Sequence, residues 1–110
     1  MNTVEILKKA RELLSDEKRW TKGFYAVDID GYAAHVDGNE ACQFCAIGAI
    51  ARVSGMTGAE AEGSKSAEML AKAAGIDRGC HVPSFNDDHT HAEILDLFDC
   101  AIARAESEAA

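Results

Sequence analysis

The chain has 110 residues, 47% of them apolar and 27% charged, with a single proline and a formal net charge of −8. That length serves one domain with one core and is too short for two, and the composition is that of a soluble globule rather than a disordered segment. No apolar run approaches the ~20 residues needed to span a bilayer, and the opening Met1-Asn-Thr-Val-Glu-Ile-Leu7 lacks the basic-then-apolar order of a secretion signal, so a cytoplasmic protein is expected.

Asn2 and Glu5 resemble a capping box, and Ile6, Leu7, Ala10, Leu13 and Leu14 recur at helical spacing, which predicts a first helix from Thr3 to Asp16. Trp20-Thr-Lys-Gly23 breaks the pattern. From Phe24 to Val36 the chain alternates around Asp30-Gly31, a dipeptide suited to the positive φ angles of a two-residue hairpin turn. A tight turn there pairs Ile29 with Tyr32, Val27 with Ala34 and Tyr25 with Val36, leaving Asp28 and His35 on the other face.

Cys42-Gln-Phe-Cys45-Ala-Ile-Gly-Ala-Ile-Ala51 has one polar side chain in ten residues, which predicts a buried central helix over Ala41 to Ser54, ending at Gly55-Met56. Gly48 within it implies close approach of another element, either the hairpin or the last helix. Thr57 to Gly63, small and polar, reads as a loop. A third helix starts near Ser64 or Ser66, buries Met69, Leu70, Ala73 and Ala74, and stops at Gly75-Ile76. Asp77 to His89 shows no period, and a loop of that length is often functional. Thr90-x-x-Glu93 then caps a last helix burying Ile94, Leu95, Phe98, Ala101 and Ile102. The expected fold is therefore α+β, with about four helices and one β-hairpin around a central buried helix.

Charge is unevenly spread. Residues 1–22 carry six Lys/Arg against four acids, net +2, whereas the rest of the chain carries five against fifteen, net −10. Such a field disfavours direct nucleic-acid binding outside the amino-terminal patch and suits a protein partner with a basic surface.

Trp20-Thr-Lys-Gly23, the Asp28…Gly31 hairpin, Cys45-Ala-Ile-Gly48-Ala-Ile and Pro83-Ser-Phe-Asn86-Asp87 before a capped helix resemble, in that order, a family of short bacterial and phage proteins classed as a domain of unknown function. The resemblance runs from about Leu7 to Ile102. It implies a small, often phage-encoded cytoplasmic protein and no particular activity, and it gives His89 no support, since its relatives vary after Asn-Asp.

Cys45 near the start of a helix could have its thiolate stabilised by unpaired N–H groups, with His89 or His81 as base and Asn86 or Asp87 orienting the imidazole. This is the logic of a small cysteine-dependent hydrolase or transferase. Packing is the competing role, because cysteine is among the most frequently buried residue types. Cys42 and Cys45, three apart on the expected helix, share a face and could bind a soft metal with Cys80, His81, His89 or His91. One Cys-x-x-Cys without a second pair is a weak zinc signal, and reduced thiols with no metal and no cofactor are expected. Asn86-Asp87-Asp88-His89 could bind a cation or an amine, or simply end a loop and cap a helix. A binding surface is expected where Trp20, Gly23, Asp28, His81, Asn86 and Asp87 converge near the entrance of the central helix. The first functional reading is an acidic protein-binding module, with a host or phage defence system as the expected target. The cysteine enzyme and a zinc-binding domain are its alternatives.

Overall fold

The computed structural model describes residues 1–109. Helix α1 spans Thr3–Leu13, with the Asn2 side chain accepting from the Glu5 N–H at its start. A 3₁₀ turn, Glu17–Arg19, follows, and two short strands, β1 (Ala26–Val27) and β2 (Gln43–Phe44), pair antiparallel with Ala26 opposite Phe44. Then come α2 (Ala46–Ser54), α3 (Gly58–Glu62), α4 (Lys65–Ala74), a 3₁₀ turn at Gly79–His81, α5 (Val82–Asp88) and α6 (His91–Ala109). The α+β class stands, but the described residues contain six helices where about four were expected.

The core is built from one stripe of each long helix. Leu7, Ala10 and Leu14, the last just past the end of α1, meet Met69 and Leu70 from α4 and Ile94, Phe98 and Ala101 from α6. Helix α2 lies beneath them, and all six residues Ala46 to Ala51 are buried. Both α2 and α4 end on glycines in the left-handed conformation, Gly55 (φ 76°) and Gly75 (φ 74°), which need no Cβ relief. Ion pairs on the outer faces, Arg11–Asp99 and Lys8–Glu106, join α1 to α6 and add little stability where they are exposed.

Four expectations are corrected. The hairpin register is shifted by one residue: Val27 bridges Ala33 and the Asp28 N–H donates to the Tyr32 carbonyl, so the loop has three residues. The cause is local. Asp28 Oδ1 accepts from the N–H groups of Asp30 and Tyr32, an Asx-type turn, and Gly31 takes φ 87° to close it. Ile29 therefore lies in the loop instead of pairing with Tyr32, and the two side chains are 89% and 72% exposed, while Val27 stays buried and Tyr25, Ala34 and Val36 half-buried as expected.

The central helix begins five residues late. Gln43–Phe44 is extended because the Cys42 N–H donates to Val27 and the Cys45 N–H to Tyr25, so residues 42–45 are held by the first strand. Cys42 and Cys45 consequently do not share a helical face. Thr57 to Gly63 is helical rather than looped: Thr57 and Glu60 form a reciprocal capping box. Finally, the expected loop before His89 contains a 3₁₀ turn and α5. Pro83 suits the first turn of that helix, and its inward positions are Val82, half-buried Phe85 and the polar Asn86, which disguises the period.

Candidate functional site

Asn86 is completely buried, so each of its polar atoms requires a partner. Its Oδ1 accepts from Trp20 Nε1 at 2.8 Å and from the Ala46 N–H at 3.0 Å, while Nδ2 donates to the Thr21 carbonyl at 3.0 Å and to Asp87 Oδ1 at 3.3 Å. Asp87 Oδ1 in turn accepts from the Gly23 N–H at 2.9 Å, with Gly23 at φ 86°. One amide thus joins α5, the first turn of α2 and the Trp20–Gly23 segment. Among the described residues no buried side-chain polar atom lacks a partner.

Beside this network lies a cavity of about 270 Å³. Gly23, Phe24 and Tyr25 form one wall, Pro83 and Asp87 another, and Cys45 and Glu62 complete it. The Tyr25 hydroxyl donates to Glu62 Oε2, and that hydrogen bond, together with burial and the Glu62 charge, pushes the phenol up to about 12. Gly48 and Gly58 let Tyr25 into this position. A Cβ on Gly48 would lie 1.7 Å from the Tyr25 carbonyl oxygen, and one on Gly58 would lie 2.3 Å from the tyrosine ring.

Cys45 is the N-cap of α2 and only 2% exposed, its Sγ accepting from the Gly48 N–H at 3.3 Å. Burial pushes its thiol up to about 11, against the lowering pull of the backbone N–H groups and with the Asp87 charge adding to the rise. The thiol is therefore protonated near neutrality. Neither expected base reaches it by a hydrogen bond. His89 ends α5 with Nδ1 2.7 Å from the Phe85 carbonyl and its ring stacked on Phe85 at 3.7 Å, and His81 is exposed at the end of the 3₁₀ turn.

The structure thus brings together Trp20, Gly23, Cys45, Asn86 and Asp87, and leaves His81, His89 and Asp28 out of the cavity lining; Asp28 organises the hairpin turn instead. Trp20 packs 5.7 Å from the His91 ring, and His91 Nε2 lies 2.6 Å from the Leu14 carbonyl, tying the end of α1 to the start of α6. Cys80 and Cys100 are exposed, and among the described residues no group of three or more His, Cys, Asp or Glu side chains is placed to hold a metal ion. Tyr25, Phe24, Glu62 and Pro83 were missed by sequence reasoning. The Thr57-x-x-Glu60 capping box was the available signal for the short helix that carries Glu62.

Among the described residues no helix is long and apolar enough to cross a membrane. No curated protein and no solved structure matches the chain. A family model matches residues 1–104, and the chain belongs to DUF6197, a family of unknown function.

Proposed function

We propose that the protein is an interaction module that binds a basic protein surface through the tip of its hairpin. The observation that carries this reading is the exposure of Ile29 and Tyr32 at the turn, two large side chains that the three-residue loop holds away from the core. Folding gains nothing from exposing them, and aromatic and aliphatic groups at a protruding tip are suited to anchor a partner. Asp28 and Asp30 belong to the tip, Asp37 and Glu40 follow along the return arm, and no Lys or Arg occurs between Lys22 and Arg52. A basic partner complements that field, whereas a phosphate backbone is repelled. Arg52 holds the hairpin's return arm, its Nη1 donating to the carbonyls of Val36 and Gly38 at 2.8 and 2.9 Å, so the tip is presented from an anchored base.

The resemblance to short phage proteins directs the search for the partner toward a host or phage defence component. A cysteine-dependent hydrolase has less support: burial keeps the Cys45 thiol protonated, and no imidazole is hydrogen-bonded to it.

The test is affinity capture from the native host with the parent protein and with an Ile29→Asp/Tyr32→Asp double variant, followed by titration of the captured protein. The reading expects a basic partner that the parent retains, that salt weakens and that the double variant loses. Equal retention by the variant would remove the hairpin tip as the contact surface.

A further inference from the structure

We propose that the cavity beside Cys45 is a binding site for a small organic cation, an ammonium or guanidinium group on a short apolar stem. Its lining carries two acids, Glu62 and Asp87, and no basic side chain. Among the described residues neither carboxylate takes part in an ion pair. Both are nevertheless held. Glu62 Oε2 accepts from the Tyr25 hydroxyl, and Asp87 Oδ1 accepts from the Gly23 N–H and Asn86 Nδ2, while Glu62 Oε1 and Asp87 Oδ2 accept no hydrogen bond among the described residues. Each carboxylate is thus oriented through one oxygen and keeps the other for a donor, which is the preorganised arrangement that charge-assisted binding requires.

The rest of the lining selects the kind of cation. Phe24 and Tyr25 supply aromatic rings and Pro83 an apolar wall, and Phe24 is 51% exposed although it is a large apolar residue next to the core. Aromatic rings attract a cation through their quadrupoles and cover its stem. At about 270 Å³ the space is near the lower end of small-molecule sites, suiting a fragment-sized group. A metal ion is a poorer fit, because no three suitable ligands converge here. Cys45 completes the lining with a buried thiol whose Sγ accepts from the Gly48 N–H.

The same chemistry is carried by a free alkyl amine or guanidine and by a Lys or Arg side chain of a protein. This site is separate from the hairpin tip, so either proposal can fail alone. The test records amide ¹H–¹⁵N spectra of the full chain during titration with n-butylguanidinium, n-butylammonium, a capped Gly-Arg-Gly peptide and neutral n-butylurea. The proposal expects saturable shifts centred on Gly23, Cys45 and Asp87 with at least one cation and none with the urea. Tighter binding of the peptide than of the free cations assigns the site to a protein side chain, and the reverse order assigns it to a free metabolite. Glu62→Gln, which keeps a partner for Tyr25, should weaken binding about tenfold, the worth of one charge-assisted contact. If that variant alters the spectrum beyond the cavity, Phe24→Ala decides instead, with a loss of about threefold or more expected from the missing ring. No saturable shift up to millimolar cation, equal response to the urea, or binding unchanged in the deciding variant would overturn the proposal.

Discussion

Gly48→Ala is the smallest substitution that tests how the fold is closed. The new Cβ would sit 1.7 Å from the Tyr25 carbonyl oxygen and 2.7 Å from its carbonyl carbon, both backbone atoms that no rotamer change can move. That carbonyl also accepts the Cys45 N–H at 3.2 Å, so any retreat of Tyr25 stretches the bond that holds residue 45 to the first strand. In an open helix the change would stabilise by about 1 kcal/mol. Here overpacking costs about 1–3 kcal/mol and the loosened hydrogen bond costs about 1 more, which after the propensity gain leaves a net destabilisation of about 1–3 kcal/mol. At about 4 °C per kcal/mol for a chain of this size, the melting temperature should fall by roughly 4–12 °C. Gly63→Ala is the control, because its nearest non-neighbouring atom would be 3.8 Å from the new Cβ, and it should melt within about 2 °C of the parent. Thermal unfolding followed by circular dichroism measures both. A Gly48→Ala protein that melts with or above the parent would refute close backbone packing at this point.

Two further outcomes follow from the same region. Asn86→Ala should destabilise by about 2–5 kcal/mol in chemical denaturation, since it leaves Trp20 Nε1 and the Ala46 N–H buried without their acceptor; a loss under about 1 kcal/mol would show that the amide is not a structural hub. Cys45 should react with an alkylating agent with a midpoint near the pH of about 11 to which burial pushes its thiol, and a midpoint below about 8.5 in the single-cysteine variant would restore the nucleophile. Because the folded chain holds this proton more tightly than the unfolded one, whose thiol keeps the ordinary 9.0, the contribution to stability is complete below pH 9 and is lost as the pH rises through about 11. The loss is on the order of 2–3 kcal/mol, read as the difference between the parent and Cys45→Ala across that window.

Elements specified by neighbours in sequence were legible from the chain itself. Asn2 starts α1, Thr90 and Glu93 start α6, and Gly55 and Gly75 stop α2 and α4, because capping and left-handed termination act within about four residues. Met69, Leu70, Ile94, Phe98 and Ala101 followed from the period of α4 and α6, although Ala73, Ala74, Leu95 and Ile102 are only half-buried and Ala67, Ala71 and Leu97 take core places. The approach of another element to Gly48, either the hairpin or the last helix, followed from a glycine misplaced for helix propensity alone. The Thr57 capping box and the Asx turn at Asp28 are equally local, and their signals stood in the sequence unread.

Only the tertiary structure decided the rest. Residues 42–45 lie in an apolar run that suits a helix or a strand equally, and the choice rests on hydrogen bonds to Tyr25 and Val27 across a long loop. The burial of Asn86 is invisible to any hydrophobic pattern, since the reason for it lies 40 residues away at Ala46 and 66 away at Trp20. The role of Cys45 was open for the same reason. A thiol at a helix start has a field that favours ionisation and a burial that opposes it, and the depth of burial, set by the packing of Tyr25 and α5 around it, determines which prevails.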